Sequence, residues 1–367
     1  MEKISLQDGF TLKVLGENVY HIPEEEIEAK VPGTVYGTLL DKGLMPDPYF
    51  GENELTATKL MENDFEYRKE FFVTEEMTSA DGLYLVFEGI DTLSDIYLNE
   101  EKIGSTDNMH RTYSFDVLER LKIGENVLQV VLHSPTRYIK EENEKIYTGG
   151  SLECMEGFPH LRKAHCMFGW DWGPRLPDAG IFRPVYLEKI EKAKIDSVYV
   201  VQNHRDGAVS LSFRTDLVNL TAKETQVTIE ILSPDGEVYR QQPDGSIFIG
   251  NPKLWWPNGY GAQNLYTFTA RCTARGITHE AKPKKIGIRT LSIDFSRLPD
   301  ESRNFFFKIN GTRIFCKGGN WVPTDSIYLR TPDENYKKLV SEGAAAHFTM
   351  FRMWGGGTYE PDCFYDY

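Results

Sequence analysis

Residues 168–175 read Phe168-Gly169-Trp170-Asp171-Trp172-Gly173-Pro174-Arg175, which places one carboxylate between two indoles and then halts the backbone at Gly-Pro. Two readings are open. In the first the stretch holds a sugar: an indole face packs on the C–H face of a pyranose while an ionised Asp accepts two neighbouring hydroxyls, each such charged hydrogen bond contributing roughly 1.5 to 3 kcal/mol. In the second, Trp170 and Trp172 are core residues and Asp171 staples the Gly-Pro turn. The flanks favour the sugar. His160-Leu161-Arg162-Lys163-Ala164-His165-Cys166-Met167 upstream and Arg175 downstream form a polar approach that core strands seldom carry.

Outward from this stretch, toward the N-terminus, short alternating segments separated by turn residues dominate. Leu83-Tyr84-Leu85-Val86-Phe87-Glu88 and Asp95-Ile96-Tyr97-Leu98-Asn99 read as strands, Asn99-Glu100-Glu101-Lys102 as a hairpin turn, and Val127 to His133 as another strand. Helix signals are weak here, so an antiparallel sandwich over residues 1–190 is expected, with the Trp170 segment on a late strand or the loop leaving it. Beyond it, residues 191–290 carry a second run of strands, including Ser197 to Gln202, Val209 to Thr215 and Gln226 to Leu232, then the turn Ser233-Pro234-Asp235-Gly236. About seven short strands in roughly 100 residues suit an immunoglobulin-like sandwich. Leu254-Trp255-Trp256-Pro257-Asn258-Gly259-Tyr260-Gly261 interrupts it, either as packing against a neighbouring part of the chain or as a second sugar platform.

After Arg289 the pattern changes. Phe305 to Phe315 predicts a hairpin, and Thr331-Pro332-Asp333-Glu334 a helix start with a capping hydroxyl, a proline in the first turn and two acids at the positive dipole end. Tyr336, Leu339, Val340, Gly343 and Ala344 predict one apolar helix face, Phe348 to Trp354 a buried strand, and Glu360 onward a further helix. Strand, helix, strand, helix opens a parallel α/β fold, and the roughly 80 residues involved fall far short of the roughly 200 to 250 that a (β/α)₈ barrel needs. The expected class is mainly β: a sandwich over 1–190, an immunoglobulin-like sandwich over 191–290, and the first units of an incomplete barrel over 291–367.

Composition excludes several functions. A net charge of −14 opposes nucleic acid, and no apolar run approaches the roughly 20 residues of a membrane helix. No signal peptide is visible at the start, so a cytoplasmic protein is expected unless an export signal has been removed. The five cysteines, Cys154, Cys166, Cys272, Cys316 and Cys363, are an odd number at irregular spacing and read as buried free thiols, without a zinc or redox pair. A neutral molecule or small solute is the expected partner, and no metal or other cofactor is expected.

Two strand ends in the last segment carry polar and aromatic groups. Asn320-Trp321 follows Gly318-Gly319 at the first; Arg352 and Trp354 precede Gly355-Gly356-Gly357 at the second. The glycines lack the Lys and Ser/Thr of a phosphate loop, so they are better read as room for a substrate at the C-terminal rim of barrel strands. Arg352 alone also suits a buried ion pair inside a barrel.

Five stretches together resemble β-mannosidases of glycoside hydrolase family 2, in the same order along nearly the whole chain: Val31-Pro32-Gly33-Thr34-Val35, Asp47-Pro48-Tyr49-Phe50-Gly51-Glu52-Asn53-Glu54, Trp170-Asp171-Trp172-Gly173-Pro174, Gly319-Asn320-Trp321-Val322-Pro323 and Arg352-Met353-Trp354-Gly355-Gly356-Gly357. The resemblance implies that the first sandwich is a jelly-roll sugar-binding domain and that the barrel belongs to a retaining exo-glycosidase acting on terminal β-D-mannose. It implies that Trp170 and Asp171 hold the non-reducing mannose and that Arg352 and Trp354 line the pocket; Asn320, at the matching strand end, joins them as a candidate. Both catalytic glutamates would lie on later strands, beyond Tyr367, so the chain as given is expected to be an inactive front end. Asn53-Glu54, Asn99-Glu100 and Asn143-Glu144 read as surface or turn residues. Met353, His347 and Thr349 stand where Val, Asn and Asn are expected. The alternatives are another exo-glycosidase of the family, acting on galactose, glucuronic acid or glucosamine, and a carbohydrate-binding protein without hydrolytic activity. Oligomeric state is left open.

Overall fold

The computed structural model describes residues 2–221, 224–327 and 330–367. Two bodies share the chain: one contains Glu2–Lys189, Val322–Lys337 and Met353–Tyr367, the other Ile190–Trp321 and Lys338–Arg352. Residues 291–367 are thus divided between them. No helix among the described residues is long and apolar enough to cross a membrane.

The first body is a two-sheet sandwich. One sheet orders Ile27–Ala29, Phe10–Leu15, Asp64–Val73, Gly124–Leu132, Ser94–Leu98 and Glu101–Thr106; the other orders Glu2–Ser5, Val185–Ile190, Gly82–Phe87 and Tyr113–Asp116. Period-two burial makes the core: along Gly124–Leu132, Asn126, Leu128, Val130 and Leu132 are buried and the intervening residues are not. The expected hairpin forms with Asn99 and Glu100 as its central residues, at φ 51° and 70°, between the paired Leu98 and Glu101. Both positive angles match the right-handed strand twist, and Asn tolerates the first of them.

Helices correct the sequence reading of this region. Val35–Asp41, Asn53–Leu60 and Pro135–Lys145 are all α-helical. The first two are too short to display an apolar periodicity. The third carries a legible signal, since Ser134 caps by accepting the Arg137 N–H and Pro135 occupies the first turn. Asn53-Glu54 and Asn143-Glu144 therefore sit on helices.

Beneath the sandwich surface lies a buried charge group. Lys163 and Asp91 are fully buried and paired, and the same ammonium donates to the Asp178 carbonyl at 2.7 Å. The Asp178 carboxyl accepts the N–H groups of Tyr36 at 3.0 Å and Ala179 at 2.8 Å, yet burial outweighs them and pushes its pKa up to about 7. A group with a raised folded pKa binds more protons folded than unfolded, so its stabilising share is full below the ordinary value of about 3.9 and is lost as pH rises through about 7. Asp178→Asn is accordingly expected to remove a downward slope of stability between about pH 4 and 7, measured as the difference between wild-type and variant denaturant midpoints across that range. Parallel curves would mean that Asp178 is ionised throughout.

The second body begins with a sandwich whose three-stranded sheet is Ala193–Arg205, Ala208–Asn219 and Ile247–Ile249. Its five-stranded partner holds Val238–Arg240, Gln226–Leu232, Tyr266–Ala274 and Ile277–Glu280, with Lys284–Ile286 also on Tyr266–Ala274. Tyr266, Phe268, Ala270, Cys272 and Ala274 all point inward. The aromatic interruption is a packing cluster: Arg289 stands 4.8 Å over the Trp255 ring, Asn310 Nδ2 donates to Trp255 O at 3.0 Å, and Asn258 Nδ2 donates to Ala344 O and Phe348 O at 3.1 Å each.

In the last segment Leu291–Asp294, Phe306–Ile309 and Thr312–Ile314 form a meander, and Gly318–Trp321 pairs with Met350–Met353 across the helix Asp333–Ala345. The buried strand expected at Phe348 to Trp354 is a correction: Met350 and Met353 are 38% and 39% exposed. Its partner covers one edge, and among the described residues no strand covers the other. The helix face is likewise incomplete, with Tyr336 and Gly343 buried but Leu339 and Ala344 exposed. His347 has φ 61°, a conformation that favours Asn, the residue the resemblance led one to expect there. Cys154, Cys166 and Cys272 are buried free thiols, whereas Cys316 and Cys363 are half-buried, against expectation.

Candidate sugar-binding site

The opening stretch folds as a hairpin. Phe168–Trp170 and Gly173–Arg175 pair antiparallel, Phe168 opposite Arg175 and Trp170 opposite Gly173, which leaves Asp171 and Trp172 as the two-residue turn. Its base is tied on all sides. Met155 N–H donates to Phe168 O at 2.9 Å, Cys154 Sγ to Gly169 O at 2.8 Å, and Arg175 Nε and Nη2 to the carbonyls of Glu153 and Leu152 at 3.0 and 3.2 Å. Gly169 has φ 96°, and a β-carbon there would lie 2.8 Å from Glu153 O, so both the turn into the hairpin and the close backbone approach require glycine.

At the tip, three indoles meet. Trp354 packs on Met109, Ala164, Cys166, Met167 and Phe182; Trp170 lies 5.2 Å from it at 60°, and Trp172 5.5 Å away, edge-on at 83°. Trp172 remains 40% exposed. The loop after Trp354 is stitched in place by Cys166 N–H donating to Gly356 O at 3.0 Å. A β-carbon on Gly356 would fall 2.0 Å from Trp354 Cη2, so this glycine makes room for the protein's own indole rather than for a ligand.

Asp171 differs from its surroundings. Its carboxylate is exposed and makes no hydrogen bond or ion pair with any described residue. A turn staple accepts backbone N–H groups; Asp171 accepts none among the described residues. An ionised acceptor left open between two anchored aromatic rings is what a polyhydroxylated ring requires.

The polar approach upstream has another use. Lys163 is consumed by Asp91, His165 packs edge-on against Phe158 at 4.8 Å with burial lowering its pKa, and a His160 ring nitrogen lies 2.8 Å from Ile146 O. These residues build the platform. They do not line it.

In the second body, Arg352 Nη1 donates to Asn320 Oδ1 at 3.1 Å, which joins two of the sequence candidates across the strand pair. Both are exposed, and Arg352 forms no ion pair with a described residue. Trp321, beside Asn320, is buried edge-on against Phe351 at 5.6 Å. Trp172 was quoted in the motif but left out of the candidates; its two-residue spacing from Trp170 was the available signal.

Two β-sandwiches are followed by strand–helix–strand, and an exposed carboxylate flanked by indoles, without a partner among the described residues, stands on the first body. Residues 17–183 match the family described as "Glycosyl hydrolase 2 galactose-binding domain-like", and residues 193–289 match "Glycosyl hydrolases family 2". The chain belongs to glycoside hydrolase family 2. It is 31% identical to β-mannosidase B of Emericella nidulans over 98% of this chain and 44% of that protein. It is also 31% identical to β-mannosidase of Capra hircus over 93% of this chain and 41% of the relative. Among solved structures, β-D-mannosidase from Dictyoglomus thermophilum superposes with TM-score 0.90 at 36% identity, covering 100% of this chain and 46% of that one. An exo-chitosanase from Amycolatopsis orientalis, at TM-score 0.72 and 19% identity, shares the fold. The chain thus spans less than half the length of each of these four proteins.

Proposed function

We propose that these residues are the front part of a retaining exo-glycosidase that releases terminal β-D-mannose from β-mannosides. The observation that carries this is Asp171, an exposed carboxylate without a partner among the described residues, presented between Trp170 and Trp172, which lean on Trp354. The names of the relatives at 31 to 36% identity support mannose over galactose, glucuronic acid or glucosamine. In the proposed complex, Asp171 accepts two hydroxyls of the non-reducing sugar and the indoles cover its C–H face. Hydrolysis with retention needs an acid and a nucleophilic carboxylate about 5 to 5.5 Å apart. By the family resemblance these carboxylates sit on other barrel strands, and the role proposed for Asp171 and the indoles is recognition. The test is to express the full-length enzyme and compare kcat/KM on the nitrophenyl β-glycosides of mannose, galactose, glucuronic acid and glucosamine. Mannoside is expected to lead by at least about a hundredfold. A different leading sugar overturns the reading.

A further inference from the structure

The Asp47–Glu54 stretch has no part in the site described above, yet it is where the segment after Trp321 is tied down. Asp47 organises the loop: its Oδ1 accepts the Tyr49 N–H at 2.9 Å, and its carbonyl accepts Asn53 Nδ2 at 2.8 Å and Phe50 N–H at 3.2 Å. With the loop so set, the Tyr49 hydroxyl donates to Asp325 Oδ1 and accepts the Ser326 N–H at 3.2 Å. The same Asp325 oxygen accepts the Ile327 N–H at 2.9 Å, and Ile327 is fully buried in the core of the first sandwich. Ser326 is therefore held between two anchors. Its hydroxyl stands 3.6 Å from the position of a β-carbon on Gly173, the residue that closes the turn carrying Asp171. The helix Asn53–Leu60, which continues the same loop, meets the hairpin at a second point, where Thr58 Oγ1 donates to Arg175 O at 3.0 Å.

We propose that Tyr49 and Asp325 are positioning residues for Asp171: their hydrogen bond holds Ser326 against Gly173 and thereby fixes the turn from which the Asp171 carboxylate is presented. The bond keeps its polarity across working pH, because burial, reinforced by the Asp325 carboxylate, pushes the Tyr49 phenol up to about 12 and leaves it the donor. Such a latch matters because Asp171 has no partner of its own among the described residues, so the place of its charge follows the backbone of its turn and its own side-chain torsions. A displacement of about 1 Å at a binding group costs up to about a hundredfold in rate.

The inference rests on the proposed sugar-binding role of Asp171, and its test has two arms. In the 367-residue chain, hydrogen exchange of the 168–175 segment should quicken at least about fivefold in Tyr49→Phe, an isosteric change, while amides of the two sheets stay as in wild type. In the full-length enzyme, Tyr49→Phe and Asp325→Asn should each lower kcat/KM on an aryl β-mannoside about tenfold, but less than about twofold when Asp171 is already Ala. Unchanged exchange at 168–175 overturns the latch, and so do effects that multiply independently with Asp171→Ala. If the full-length enzyme prefers another sugar, the kinetic arm is run on that sugar and the loss falls on the proposed substrate alone. If it hydrolyses none, the exchange arm still decides the latch.

Discussion

Asp171→Ala in the full-length enzyme is expected to lower kcat/KM on an aryl β-mannoside by about 2 kcal/mol or more, roughly thirtyfold, at an unchanged thermal midpoint. The two halves of that result have separate causes. A carboxylate that stabilises its own fold leaves backbone donors unpaired when removed, which costs roughly 1 to 3 kcal/mol. Asp171 has no such donors among the described residues, and its hairpin is tied instead through Phe168, Gly169 and Arg175. Stability should therefore survive its loss. Binding should not, because an ionised acceptor for two sugar hydroxyls has no substitute in the surrounding indoles. The measurement is kcat/KM together with thermal midpoint for wild type and variant. A lowered midpoint with normal turnover in the folded fraction would return Asp171 to a structural role and remove the observation that carries the mannosidase proposal.

Lys163→Met is expected to destabilise the first sandwich by about 3 to 5 kcal/mol, among the largest costs available to one substitution in this chain. The ammonium is fully buried, neutralises Asp91 and donates to Asp178 O at 2.7 Å, so its removal leaves a carboxylate without compensation in the interior. One control identifies the cause. Asp91→Ala combined with Lys163→Met should recover about 2 kcal/mol of the single-variant loss. Denaturant unfolding followed by tryptophan fluorescence reads it. No recovery in the double variant would assign the effect to packing of the lysine stem.

Much of the fold was legible because alternation of period two survives in a single sequence. The strands at Leu83–Glu88, Asp95–Asn99, Gln226–Leu232 and the hairpin at Phe305–Phe315 correspond to Gly82–Phe87, Ser94–Leu98, Gln226–Leu232 and the pair Phe306–Ile309 with Thr312–Ile314. The helices Val35–Asp41 and Asn53–Leu60 were missed because about two turns show no periodicity, whereas Pro135–Lys145 carried a cap signal at Ser134-Pro135. Burial near the chain's last strands was misjudged for a different reason: apolar content says which residues can be covered, and only neighbouring elements decide which of them are.

The candidate site divides along the same line. Local order alone brought Trp170, Asp171 and Trp172 together, since residues in and beside a two-residue turn cannot be far apart. Tertiary structure decided the rest. Trp354 meets Trp170 and Trp172 across some 180 residues of chain, Lys163 is drawn inward by Asp91, and Tyr49 reaches Asp325. Sequence sets which groups can accept, donate or stack; whether a polar group is spent on the protein or left for a ligand depends on what distant segments bring to it. That is why Lys163 and Asp171, equally polar and eight positions apart, end as a core ion pair and an open carboxylate.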